Sequence, residues 1–252
     1  MLIPATAFAH VPMLRAKILA PEQSTFRISR DTFIDWDKRG REAGYGESWR
    51  RTHEEREATR SQALAGRLDQ DLWLFAYGSL MWDPAIHIVE IRKATLAGFH
   101  RRFCLKIEIG RGSKEKPALM AALDEGGECR GLAFRIPAFA VDRETEILWM
   151  REMISEGYVP TFRTVETPQG RIEALAFVMN QESPRFADID VGEAARLIAT
   201  GSGILGTNLE YFNNLASHVA VLGIEDEIFE AIRAQLAACG PPSEPARQQF
   251  GA

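Results

Sequence analysis

Leu72-Trp73-Leu74-Phe75-Ala76-Tyr77-Gly78-Ser79-Leu80-Met81-Trp82 is an apolar, aromatic-rich run introduced by Asp71 and interrupted only at Gly78-Ser79. A continuous apolar run of this length that stops at a small-residue pair reads as a buried strand entering a tight loop. A compact domain starts here. Downstream, the strand-like stretches 94–108, 118–125, 129–137, 161–168 and 172–180 are separated by Gly, Pro and acidic turn residues. Their spacing predicts a largely antiparallel sheet or barrel. Helical patterns at 142–157, 191–200 and 225–238 complete an α+β class, with helices packed around a closed or strongly curved sheet. In the first of these helices Gly157 is the expected C-cap.

Upstream the composition changes. From Arg27 to Arg60 nine Lys/Arg are interleaved with eight Asp/Glu. The segment 48–68 can form a solvated helix, with Ser48 as N-cap and opposite charges at i,i+4. Residues 1–70 therefore read as a charged, partly helical extension that serves as a structural arm or a partner contact. Residues 71–240 read as the main domain and 241–252 as a tail.

The chain has 252 residues, of which 46% are hydrophobic and 26% charged, and a formal charge of −5. Such a balance suits a globular protein and offers no general attraction to the phosphates of nucleic acid. Its three cysteines, Cys104, Cys129 and Cys239, form no CxxC pair, which favours a reducing compartment over a disulfide scaffold. The opening residues 1–21 are broken by Pro4, Pro12, Arg15 and Lys17, unlike an export signal. No uninterrupted apolar stretch reaches the roughly 20 residues that a membrane helix needs. A cytoplasmic protein without membrane or nucleic-acid partners is the expectation.

Two features point to chemistry. Glu152 lies on the helical wheel between Leu148 and Trp149, with Ile147, Met150, Met153 and Ile154 over much of the remaining circumference. Burial among such neighbours raises a carboxyl group's pKa toward neutrality, as a general acid/base requires. The loop Leu74-Phe75-Ala76-Tyr77-Gly78-Ser79 can aim several backbone N–H groups into a cavity, where they suit a carboxylate or an oxyanion. Each feature also has a plain alternative, a surface glutamate and an ordinary turn.

Other motifs exclude more than they suggest. Gly201-Ser202-Gly203-Ile204-Leu205-Gly206 spells GxGxxG but follows a helical stretch instead of a strand, so a helix-ending loop is preferred to a dinucleotide site. No GxSxG surrounds Ser79, and neither a Walker sequence nor HExxH occurs. The five histidines, His10, His53, His87, His100 and His218, have no metal-binding helical spacing.

Taken together, LFAYGSLMW at 74–82, GFHRRF at 98–103, GRG at 110–112, CRGLAFRIP at 129–137, LWMREMISEGYVP at 148–160 and GILGTNLEYF at 203–212 resemble the ChaC family of glutathione-specific γ-glutamylcyclotransferases, from about Trp73 to Leu236. The resemblance implies a mixed β-barrel flanked by helices and no cofactor, and the histidine spacing already gives no metal site. It also implies a reaction that turns glutathione into 5-oxoproline and cysteinylglycine. It places the catalytic carboxylate at Glu152 and the substrate loop at Leu74 to Ser79, and makes Arg102 and Tyr211 pocket residues. One departure is Pro117-Ala118, where the family usually has Pro-Gly; it bears on a loop that would cover the substrate. Three other readings stay open: a cyclotransferase for other γ-glutamyl amines, a non-catalytic γ-glutamyl-ligand sensor or partner-binding protein using the arm, and a serine amidohydrolase using Ser79.

Overall fold

Strand β1 (Leu72–Ala76) is enclosed on both sides, antiparallel to β3 (Ala118–Ile136) and parallel to β5 (Gly170–Met179). That placement explains why its sequence is a continuous apolar run instead of an alternating one. The computed structural model describes residues 3–42, 44–46 and 49–238. With β2 (Glu90–Ile107) and β4 (Tyr158–Thr167), the strands close into a barrel ordered β1-β3-β2-β4-β5. The expected α+β class with a closed, mixed sheet is what the chain forms.

The stretches 118–125 and 129–137, expected as separate strands, are one strand, β3. It pairs with β2 from Ile107↔Ala118 to Glu90↔Arg135. Gly126 and Gly127, both at positive φ (101° and 63°), supply a local irregularity beside the register shift at Ala97/Phe99 and do not reverse the chain.

Helix α3 (Val141–Glu152) lays Ile147, Leu148, Trp149 and Met150 into the core. It ends before the expected Gly157 cap: Met153 is the C-cap, its N–H donating to the Trp149 carbonyl. The apolar pattern runs on through Met153 and Ile154 because both pack against the core, not because the helix continues. Helices α4 (Val191–Thr200), α5 (Asn208–Val221) and α6 (Glu227–Ala238) follow. Between α4 and α5 the glycine-rich segment forms the hairpin β6 (Ser202–Gly203) and β7 (Gly206–Thr207), a loop as expected.

The arm contains α1 (Arg30–Glu42), which the sequence reading missed, and α2 (His53–Ala63). The proposed Ser48 cap lies outside the described residues. The N-cap of α2 is Thr52, whose Oγ1 accepts from the Glu55 N–H at 3.2 Å while the Glu55 carboxylate accepts from the Thr52 N–H at 2.7 Å. This capping box starts the helix later than its charge pattern suggests. Nor is the arm merely solvated: Phe8, Val11, Leu14, Ile18, Ile28, Phe33 and Leu64 belong to the same buried cluster as Met81, Ile86 and Trp149 of the barrel side.

Candidate active site

Glu152, the last residue of α3, opens onto a cavity of about 350 Å³, a volume within the range of about 300–1,000 Å³ usual for small-molecule sites. Its side chain is 13% exposed, and its Oε1 lies 2.9 Å from Arg151 Nε. Burial raises the Glu152 pKa above its ordinary value of 4.5, opposed by the Arg151 charge. The position at a helix C-terminus disfavours negative charge further.

Arg151 is oriented in turn, because its Nη2 donates to Ser79 Oγ at 2.8 Å and its Nη1 to the Asp83 carbonyl. The guanidinium also lies 5.1 Å from the Phe26 ring of the arm. The substrate loop and the helix carrying Glu152 are thus joined through one arginine. Gly78, Ser79 and Leu80 line the cavity, and their backbone N–H groups have no acceptor among the described residues. They sit at the start of a short 3-10 turn, Ser79–Met81, where free N–H groups are expected.

Three phenols complete the chamber. Tyr77 donates to the Phe177 carbonyl at 2.7 Å and Tyr158 to the Ala121 carbonyl at 3.3 Å. The Tyr211 oxygen accepts from the Ala121 N–H at 3.4 Å. Burial pushes all three pKa values up, that of Tyr211 to about 12, with the Glu152 charge contributing to each. The phenols therefore stay protonated; the protons of Tyr77 and Tyr158 are spent on those two carbonyls, and that of Tyr211 is uncommitted among the described residues.

Of the expected site residues, the fold brings Glu152, Tyr77, Gly78, Ser79 and Tyr211 together around this cavity. Leu74, Phe75 and Ala76 are wholly buried in β1 behind the loop and do not line it. Arg102 is placed elsewhere: it pairs with Asp124 at 2.9 Å and Asp188 at 2.7 Å, and is not among the lining residues. Its neighbour Arg101 holds the loop, donating from Nε to the Tyr77 carbonyl at 2.8 Å and pairing with Asp226. Tyr158 and Arg151 were not singled out from sequence, although both stand in the quoted LWMREMISEGYVP segment; Tyr158 was recognisable only as an aromatic residue at a strand start.

The ChaC-like protein model matches residues 72–238, the barrel and the helices that carry this cavity's acidic end. The chain belongs to the ChaC-like family. Among relatives of this ChaC-like chain, the glutathione-specific γ-glutamylcyclotransferase of Escherichia coli (strain K12) is 38% identical over 203 residues, 79% of this chain and 88% of the relative. Glutathione-specific γ-glutamylcyclotransferase 1 of Homo sapiens is 32% identical over 65% of this chain and 77% of its own. The crystal structure of a yeast γ-glutamyl cyclotransferase specific to glutathione superposes with a TM-score of 0.60 at 20% identity, covering 66% of this chain and 97% of that one. At that identity the superposition speaks for a shared fold.

Proposed function

We propose that this protein is a glutathione-specific γ-glutamylcyclotransferase, with Glu152 as its acid/base. The observation that carries the reading is a buried carboxyl of raised pKa, facing a cavity beside free backbone N–H groups, in a chain whose relatives bear that name. The γ-glutamyl end of glutathione enters the cavity, and its α-carboxylate is held by the N–H groups of Gly78 and Ser79. Glu152 takes a proton from the α-ammonium, and the freed amine attacks the γ-carbonyl carbon. The amide bond to cysteine breaks as protonated Glu152 passes a proton to the departing nitrogen. The products are 5-oxoproline and cysteinylglycine.

Because nucleophile and electrophile share one molecule, folding the substrate supplies most of the acceleration; well-oriented intramolecular reactions reach effective molarities of about 10⁵–10⁸ M. The phenols exclude water, and the Tyr211 hydroxyl, whose proton no backbone carbonyl among the described residues takes, is left to donate to the γ-carbonyl oxygen. No cofactor enters this scheme. The reaction belongs to residues 71–240, with residues 1–70 as an extension. We take the compartment to be cytoplasmic: Cys104 and Cys129 are free and buried, with thiol pKa values pushed up to about 12 and about 11 by burial, and no helix among the described residues is long and apolar enough to cross a membrane. Cys239 lies outside the described residues.

Incubation with reduced glutathione and mass spectrometry of the products tests the reading. 5-Oxoproline plus cysteinylglycine from the unmodified protein, and neither from Glu152→Gln, is the expected result. Free glutamate in place of 5-oxoproline would show hydrolysis and overturn it.

A further inference from the structure

Residues 72–238, which match the family model, do not enclose the cavity alone. Phe26, Ile28, Trp36, Arg39, Tyr45 and Trp49 of the arm form its facing wall. Hydrogen bonds fasten this wall on both sides. Tyr45 Oη donates to the Glu108 carbonyl and Lys114 Nζ to the Gly44 carbonyl at 2.8 Å, while the Arg51 N–H donates to the Ile154 carbonyl at 2.8 Å, two residues beyond Glu152. The arm is therefore a strap over the cavity, rich in aromatic side chains, and of its arginines Arg39 is the one that lines it.

The arginines lining the cavity are not equivalent. Arg151 is committed to Glu152 and Ser79. Arg111 donates to the Thr207 carbonyl at 3.1 Å and stands 3.8 Å from Glu210, and Arg185 reaches the Trp49 carbonyl and Glu156. Arg39 Nε stands 2.8 Å from a carboxylate oxygen of the exposed Asp35. Its two terminal nitrogens make no hydrogen bond among the described residues. A guanidinium with both outer nitrogens free presents the planar fork that binds a carboxylate in two parallel hydrogen bonds.

We propose that the arm residues lining the cavity form the subsite for the departing peptide half of the substrate, and that Arg39 binds its terminal carboxylate. The proposal rests on the reading of Glu152 as the site of the γ-glutamyl end. With that end seated at the barrel wall, the charge that remains on the substrate is the glycine carboxylate, and of the lining arginines Arg39 of the arm is the one whose terminal nitrogens make no hydrogen bond among the described residues. Ligands that would use this subsite are γ-glutamyl peptides ending in a free carboxylate; γ-glutamyl amines without one would forgo the contact.

Affinity separates this proposal from the chemistry. Binding of reduced glutathione and of its glycyl monoethyl ester, which removes the terminal charge, is measured by calorimetry on the Glu152→Gln protein with Arg39 present and with Arg39→Ala added. The Arg39 side chain is 59% exposed, so its removal leaves the core intact, and circular dichroism verifies this. The expected pattern is a loss of about five- to tenfold in glutathione affinity on removing Arg39, the size of a charge-assisted hydrogen bond discounted for exposure. The ester, already weaker, should lose nothing more. Arg39→Lys should restore part of the glutathione affinity through charge without the fork. Equal losses for both ligands, no loss for either, or no binding of either would overturn the subsite. Binding with the expected pattern but no 5-oxoproline from the unmodified protein would overturn the reaction and leave the subsite standing.

Discussion

Glu152 must accept a proton early in the reaction and return it late, so its pKa has to sit between that of an ordinary carboxyl and that of an amine. Burial moves it in that direction. Replacing it with Gln keeps the shape and should lower kcat by about 10²–10⁴-fold, the usual worth of a positioned acid/base, with glutathione affinity largely kept. In the unmodified protein kcat/KM requires the ionised form, so its acid limb should lie above 4.5, and activity should fall as pH drops through the raised value. Stability runs the other way. A carboxyl whose folded pKa exceeds its unfolded value favours the fold below the unfolded value, and that advantage is lost as pH rises through the folded one. At pH 7 the buried charge is thus a burden, and Glu152→Gln should raise Tm by about 2–4 °C, on the order of 1 kcal/mol, with the gain vanishing below the ordinary carboxyl range. A Tm lowered at pH 7 would count against the raised pKa. Ser79 is the converse case. Its hydroxyl is engaged by Arg151 and no histidine or carboxylate among the described residues bonds to it, so Ser79→Ala should keep turnover within about tenfold and release no free glutamate. A loss as deep as that of Glu152→Gln would revive the serine amidohydrolase. At this scale the helical wheel and the family motif both singled out Glu152. Arg101 and Arg102 were not separable, because adjacent strand residues point to opposite faces and only the β2 register assigns them.

Gly203, on the hairpin that rims the cavity, shows how two elements depend on one missing side chain. A Cβ there would lie 2.3 Å from the Gly112 carbonyl oxygen and 2.4 Å from that of Gly110, so the hairpin and the 110–112 turn are in backbone contact. Gly203→Ala should push them apart at a cost of about 1–3 kcal/mol, lowering Tm and raising KM for glutathione more than it lowers kcat. An unchanged Tm and KM would mean that this rim gives way freely. Elements differed in how far the sequence exposed them. Strand β1 was readable from its uninterrupted apolar run and α4 from its periodicity. The division of β3 was over-read because Gly126-Gly127 is ordinary turn chemistry, and only pairing along the length of β2 keeps the strand going. Helix α5 was passed over because Asn213 and Asn214 interrupt its pattern, although Thr207 and Glu210 form a capping box at its start, a local signal that marks a helix. The end of α3 was hidden for the opposite reason, since core packing continues its apolar pattern past the last helical turn.

The barrel and the arm share one core, and this is what sequence reading could least anticipate: a charged composition describes the arm's outer surface, while a few scattered apolar residues decide where it packs. Those residues are Phe8, Val11, Leu14, Ile18, Ile28, Phe33 and Leu64, all buried, each worth about 1.5–3 kcal/mol when fully removed from water. The arm also neutralises the barrel side. Arg27 makes a bidentate contact with Glu144, at 2.8 and 2.9 Å, and the Glu144 side chain is only 3% exposed. Thr59 accepts from the Trp149 indole at 3.1 Å, one helical turn before Glu152. Removing residues 1–70 would expose the apolar surface of Met81, Ile86 and Trp149 and leave Glu144 without its cation, a loss costing about 3–5 kcal/mol by itself where such a pair is buried. Against a net stability of about 5–15 kcal/mol typical of folded proteins, the fragment 71–252 should aggregate on expression or melt more than 10 °C below the full chain. Its cavity, lacking the strap, should bind glutathione poorly even where some folded protein is recovered. A fragment that stays soluble, keeps the parent Tm and turns over glutathione at the parent rate would show that the barrel needs the arm neither for its core nor for its site.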